Sequence, residues 1–76
     1  MTIRAGAETL ERGELIDILR DYGDRENEDH YFDLTDEELV AEFVSAAKTG
    51  RERDYIQQAA AEDGWDWRSL TVEPQN

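Results

Sequence analysis

Four acidic residues in the first third of the chain repeat at the spacing of one helical face. Glu11, Glu14, Asp17 and Asp21 follow one another at intervals of three, three and four residues, and residues this far apart are neighbours on a helix surface. Their carboxylates would recur about every 5 Å along the helix axis, close to the roughly 3.4 Å axial spacing of phosphates along one DNA strand. Chemically, such a row is a polyanion that attracts cationic side chains.

This row is part of a wider acidic band. Residues 8–42 contain 14 acidic residues and three arginines, so they carry a net charge of −11 out of −12 for the 76-residue chain. The predicted partner-binding residues, which we call the acidic band, are Glu11, Glu14, Asp17, Asp21, Asp24, Glu26, Glu28, Asp29, Tyr31, Asp33, Asp36, Glu37, Glu38 and Glu42. Tyr31 is included because an aromatic ring flanked by carboxylates can hold arginine side chains.

The concentration of charge predicts a non-enzymatic inhibitor that mimics nucleic acid. The acidic band would dock on a basic, nucleic-acid-binding surface of another protein and block it, with electrostatic steering favouring the encounter at low salt. Compact acidic proteins of phages and other mobile elements act in this way on CRISPR and restriction machinery. The analogy is one of function only, because no residue motif here identifies such a family.

A second hypothesis explains the acidity without a basic partner. The chain would then be a small accessory or structural helical domain, acidic for solubility or high-salt adaptation, whose contacts run through its aromatic residues. Salt adaptation, however, generally makes the whole surface acidic. Residues 43–76 are nearly neutral, which argues against salt adaptation as the whole cause, although both hypotheses stay open.

Other chemistries find little support in the sequence. The chain has no cysteine and a single histidine, His30, which excludes a zinc site. A calcium loop beginning at Asp24 would have Asp29 where an EF-hand needs glycine and Thr35 where it needs a bidentate glutamate. Neither serine has a neighbouring base in the sequence, as nucleophilic catalysis would require. We therefore expect no enzymatic activity and no dedicated metal or cofactor site, and a module that binds a cation loosely through its clustered carboxylates stays open as a third hypothesis.

Composition also bounds the setting. The absence of cysteine fits a reducing compartment, and residues 1–20 contain no apolar stretch long enough for a signal peptide or a membrane span. The net negative charge disfavours direct binding to nucleic acid or to an anionic membrane. The expected protein is cytoplasmic, and its expected partner is a basic protein.

The elements that must position the acidic band are predicted to be helical. A first helix spans about residues 8–22, preceded by a mobile or at most extended arm over residues 1–6 and followed by an exposed loop over residues 23–33. The apolar face of this helix consists of residues at helical spacing, namely Leu15, Ile18, Leu19 and Tyr22.

The second helix has the clearest sequence signals. Thr35 and Glu38 form a capping box, Leu34 and Leu39 occupy the positions of a hydrophobic staple, and Gly50 ends the helix. A third helix covers about residues 51–63 and is followed by a glycine. Its inward-facing residues are predicted to be Tyr55, Ile56, Ala59 and Ala60.

The C-terminal segment contains both tryptophans. Residues 65–72 predict either one helical turn capped by Asp66 or a short extended segment, and at least one of Trp65 and Trp67 is expected in the core. The last residues, 73–76, are expected to be loose. The predicted fold is therefore one mostly α domain, a compact bundle of about three helices with a short C-terminal Trp-containing segment.

Overall fold

Four helices and a small antiparallel sheet make up the fold in the computed structural model, which describes residues 2–22 and 28–74 and only the backbone of residue 28. In chain order the elements are β1 (Thr2–Ala5), β2 (Glu8–Leu10), α1 (Arg12–Tyr22), α2 (Glu28–Asp33), α3 (Asp36–Thr49), α4 (Arg53–Glu62), a 3₁₀ helix (Trp67–Ser69) and β3 (Leu70–Glu73). The fold is mostly helical, as predicted, but it is not a pure three-helix bundle.

The N-terminal segment is the centre of the sheet. β1 lies between β2 and β3 in antiparallel order, and Ile3 pairs with Leu10 on one side and with Val72 on the other. Ile3 and Ala5 are buried in the core. The mobile alternative is therefore wrong, whereas the extended alternative is found, as the central strand of the sheet, because the alternating apolar residues of β1 cover one side of the core.

A two-residue turn joins β1 to β2 and delays the first helix. Ala5 pairs with Glu8, and Gly6 between them has a positive φ of 63°, a conformation that glycine adopts without steric cost. Glycine at the first position of a two-residue loop is a typical hairpin signal. Helix α1 consequently begins at Arg12, and the predicted start near residue 8 is wrong.

The apolar face of α1 is largely as predicted. Leu15, Ile18 and Leu19 are buried, together with Ile16. Tyr22, at the end of the helix, is 37% exposed and therefore lies at the edge of the core instead of inside it.

Part of the predicted exposed loop is helical. Residues 28–33 form α2, and Tyr31 is only 5% exposed. Burial of this one aromatic side chain fixes the short helix on the core. The rest of that loop prediction, residues 23–27, lies outside the described residues.

The capping prediction for α3 is confirmed. The Glu38 backbone N–H donates to the Thr35 hydroxyl oxygen at 3.2 Å, and the Thr35 N–H donates to the Glu38 carboxylate at 3.0 Å. At the other end, Gly50 packs closely on the last turn, where an added Cβ would lie 2.5 Å from the Ala46 carbonyl oxygen. A glycine is required at position 50 because the backbone of Ala46 leaves no room for a side chain. The backbone conformation itself is extended and not left-handed.

Helix α4 packs on α3 through small residues. Ile56 and Ala60 are buried and Ala59 is partly buried, as predicted. Tyr55 was expected to point inward, but it is 56% exposed. The Tyr55 ring instead stacks on the ring of Tyr22 at the end of α1.

The C-terminal segment adopts both of the predicted forms in succession. Asp66 caps the 3₁₀ helix by accepting from the Arg68 N–H at 2.9 Å, and β3 follows directly. Both tryptophans are buried, and the Trp65 ring contacts the Phe43 ring with centroids 5.4 Å apart. Glu73, predicted to be loose, belongs to β3.

Candidate functional site

One arginine ties together the elements that carry the acidic band. Arg12, at the start of α1, donates from Nη1 to Oδ1 of Asp36 at the start of α3. Its Nη2 donates to the carbonyl oxygens of Leu34 and Phe32. The side chains of Arg12 and Asp36 are 37% and 16% exposed, so the ion pair is partly shielded from water. The start of α1, the end of α2 and the start of α3 are thereby held side by side.

The acidic row on α1 has local partners. The Glu14 carboxylate accepts a 2.9 Å hydrogen bond from the Glu11 N–H and so caps the helix. Arg20 lies 3.2 Å from Asp17 and 3.9 Å from Asp21. The sequence contains no lysine in this row, but the structure shows that an arginine partly neutralises its second half. The row is therefore not an uninterrupted polyanion.

The acidic residues of α2 and α3 differ in this respect. Asp29, Asp33, Glu37 and Glu42 are exposed, and the structure shows no ion pair from any of them to a cation among the described residues. Arg12 and Arg20, the two described arginines of the band, already pair with other carboxylates. Among the described residues, a group of carboxylates without an ion-paired cation therefore lies on α2 and the first half of α3, with Glu11 just before α1.

Glu38 combines surface charge with a structural role. Hydrogen bonds from the Thr35 backbone, and to a smaller extent from its side chain, hold the pKa of Glu38 below its ordinary value. The ionised carboxylate also faces the positive end of the α3 dipole. Glu38 is thus a charged member of the band whose conformation is fixed by the capping box.

The structure separates the remaining predicted residues into three groups. Tyr31 is buried, so its ring is not a surface contact for an arginine, and this part of the predicted site is corrected. Asp36 is ion-paired with Arg12. Asp24 and Glu26, and the side chain of Glu28, lie outside the described residues.

Exposed aromatic rings occur at other positions. Phe32, next to the buried Tyr31, is 57% exposed, and in the sequence it stands between the exposed residues Asp29 and Asp33. Tyr22 and Tyr55 stack on each other with ring centroids 5.7 Å apart and an interplanar angle of 10°. Of the adjacent aromatic residues Tyr31 and Phe32, the predicted site included Tyr31, which is buried, and Phe32 is the exposed one. Consecutive residues of a helix point about 100° apart, so one ring can face the core while the next faces solvent.

Two shallow clefts lie away from the unneutralised acids of α2. One, of about 440 Å³, is bordered by residues of β1, β2 and the start of α1, with Asp36 at its edge. The other, of about 430 Å³, is bordered by α4 and the Trp65–Arg68 segment. Within the described residues, no group of three or more potential ligands is arranged to hold a metal ion. No helix formed by the described residues is both long and apolar enough to cross a membrane.

Comparison with known proteins found no relative of this chain. No protein-family model matches the chain, and no curated protein or solved structure matches it significantly.

Proposed function

We propose that this protein is a non-enzymatic inhibitor that places its acidic surface on a basic, nucleic-acid-binding surface of another protein and blocks access of the nucleic acid. The observation that carries the proposal is the set of exposed carboxylates on α2 and α3 that have no cationic partner among the described residues. The function is thus of the kind exerted on CRISPR and restriction enzymes by acidic mimics of nucleic acid.

The pattern of ion pairs supports this function over solubility alone. Isolated surface charges keep a protein soluble without any particular arrangement. Here Arg12 and Arg20 are both engaged with other carboxylates, so within the described residues the exposed carboxylates of α2 and the first half of α3 have no ion-paired cation to reduce their negative potential. Such a potential accelerates encounter with a basic groove and competes with phosphate for the same cations.

The acidic band can be divided by the contacts of its members. Glu14, Asp36 and Glu38 hold the helices in place through their hydrogen bonds. The proposed contacts to the partner are the ring of Phe32 and the exposed carboxylates that have no ion pair among the described residues: Glu11, Asp29, Asp33, Glu37 and Glu42. An aromatic ring among carboxylates provides apolar contact for the stems of arginine and lysine side chains.

A matched pair of charge-reversal variants tests the proposal. Asp33→Lys/Glu42→Lys changes the free surface of α2 and α3, whereas Glu62→Lys/Asp63→Lys changes the net charge equally at the end of α4. All four residues are exposed. Each variant would be used as bait for the heparin-binding proteins of a bacterial lysate, because heparin selects proteins with phosphate-binding surfaces.

The two variants should behave differently. Capture by the α2–α3 variant is expected to fall at least tenfold, whereas the α4 variant should retain most of it, because the lost contacts belong to one surface. Equal losses would show that only net charge matters, and the proposed binding surface would then be wrong. Circular dichroism would establish that both variants keep their helical content.

One observation favours a second candidate function, an interaction domain that binds through aromatic residues. Tyr22 and Tyr55 form an exposed stacked pair, and exposed aromatic clusters often anchor protein interfaces. Trp65 and Trp67 are unsuitable for testing this function, because both are buried and their removal would unfold the domain. Binding that persists at high salt and fails on Tyr22→Ala/Tyr55→Ala would favour the second candidate over the first.

A further inference from the structure

We infer that the stacked rings of Tyr22 and Tyr55 bind arginine side chains of the basic partner in preference to lysine side chains. This inference rests on the proposed function, because it specifies the cation that the partner contributes. The rings lie where α1 meets α4, outside the predicted partner-binding site. Of the predicted site residues, Asp21 is the one directly next to either tyrosine in the sequence.

The pair leaves aromatic surface open to solvent, which we call the platform. Because the two rings are stacked, each covers one face of the other, but Tyr22 and Tyr55 remain 37% and 56% exposed. Tyr22 ends α1 and Tyr55 lies in the first turn of α4, so the exposed aromatic surface comes from two helices. In the described residues, the large hydrophobic side chains left exposed are these two and Phe32. All three are aromatic.

The charges beside the platform favour a cation. Asp21 and Asp54 are exposed and precede Tyr22 and Tyr55 directly in the chain. Asp21 lies 3.9 Å from Arg20 and is therefore partly neutralised, whereas no ion pair joins Asp54 to a cation among the described residues. Among the described residues, the cation–π contact joins Arg68 to Trp67 at 5.0 Å, and no described cation lies over these rings. Within that part of the chain, the exposed rings beside carboxylates are open to a cation from another molecule.

The shape of the platform favours arginine over lysine. A guanidinium is planar and weakly hydrated, so it can stack on a ring while its N–H groups bond carboxylates at the edge. A lysine ammonium is compact and strongly hydrated, and it loses more solvation when it approaches a ring face. Stacking on an exposed ring is expected to strengthen arginine binding by about two- to five-fold.

Two short peptides of equal length and charge provide the test, one with arginine and one with lysine as its cations. Their affinities would be measured at low salt for the full chain, for Tyr22→Leu/Tyr55→Leu and for Tyr22→Phe/Tyr55→Phe. The leucine variant removes the rings, whereas the phenylalanine variant keeps them. Because both positions are exposed, all three proteins should show the same helical content and closely similar melting temperatures.

The unmodified chain and the phenylalanine variant should prefer the arginine peptide by at least twofold, and the leucine variant should bind both peptides equally. Equal affinities for the unmodified chain, or a preference that survives in the leucine variant, would overturn the inference. Either of those results leaves nucleic-acid mimicry standing, because attraction to both peptides requires only the acidic surface. Failure of both peptides to bind at low salt would overturn the inference and the proposed function together.

Discussion

The Arg12 bridge is the contact whose removal tests the arrangement of the acidic surface. Arg12→Met keeps most of the apolar stem but removes the guanidinium, which donates to Asp36 and to the carbonyl oxygens of Leu34 and Phe32. The substitution would leave Asp36 without its cationic partner at the start of α3. We expect the protein to stay folded but to lose stability.

The size of the expected stability loss depends on how far Arg12 and Asp36 are exposed to solvent. Hydrogen bonds to charged groups contribute about 1.5–3 kcal/mol each, but exposed ion pairs contribute only about 0–1 kcal/mol. Arg12 is partly exposed and Asp36 is mostly covered, so solvent screening removes part of the gain. We expect a loss of about 2 kcal/mol in the free energy of unfolding, which lowers the Tm of a domain this small by about 8–16 °C.

Urea denaturation followed by circular dichroism would measure this loss. A double-mutant cycle with Asp36→Asn separates the ion pair from the bonds to the two carbonyl oxygens. The coupling free energy between Arg12 and Asp36 should be about 1 kcal/mol, with the remainder of the loss seen in Arg12→Met alone. A total loss below about 0.5 kcal/mol would show that the bridge is an ordinary surface ion pair and would refute its proposed role in holding the helices together.

Two further predictions concern the ends of the helices. Gly50→Ala should destabilise the protein by about 1–3 kcal/mol, because the added Cβ would meet the Ala46 carbonyl oxygen. Gly13→Ala should stabilise it by up to about 1 kcal/mol, because a Cβ there meets no atom within 4 Å. Thermal unfolding would measure both changes in stability, and changes of the same sign would contradict this account. The pKa of Glu38 is lowered in the folded protein, so the contribution of its carboxylate to stability is present above the unfolded pKa and is lost as the pH falls through the folded pKa. The Tm of the natural chain should exceed that of Glu38→Gln at neutral pH, and this difference should shrink as the pH drops below 4.5, the ordinary pKa of the group. A Tm difference that does not depend on pH would contradict the role of the ionised carboxylate.

Local signals in the sequence identified the helices that have strong caps or a regular apolar face. The capping box of Thr35 and Glu38 joins each side chain to the backbone N–H of a residue only three positions away, so it depends on local sequence alone. The face of α1 around Leu15 was predictable for a similar reason, since its period depends on helix geometry alone.

The sheet escaped prediction because its pairing is not local. β1 is stabilised by β3, and Thr2 pairs with Glu73 across nearly the whole chain. Strands of three or four residues are too short for a clear alternating pattern, so tertiary contacts decide their conformation. The hairpin glycine, Gly6, was the one local signal that pointed to this part of the fold.

The site was predictable in charge but not in detail. The sequence located the acidic band, whereas pairing of Arg20 with Asp17 and burial of Tyr31 depend on side-chain packing. The stacking of Tyr22 on Tyr55 joins residues from separate helices. Such contacts determine which carboxylates and rings are available to a partner.

Competition with DNA tests the central claim most directly. The full chain would be immobilised and loaded at low salt with the heparin-binding proteins of a bacterial lysate, then washed with a short DNA duplex. Proposed mimicry predicts that the duplex releases a nucleic-acid-binding protein and that the Asp33→Lys/Glu42→Lys variant does not capture this protein. If no captured protein is released by DNA, or if capture does not depend on these carboxylates, the acidic surface does not occupy a nucleic-acid site and the proposed function is wrong.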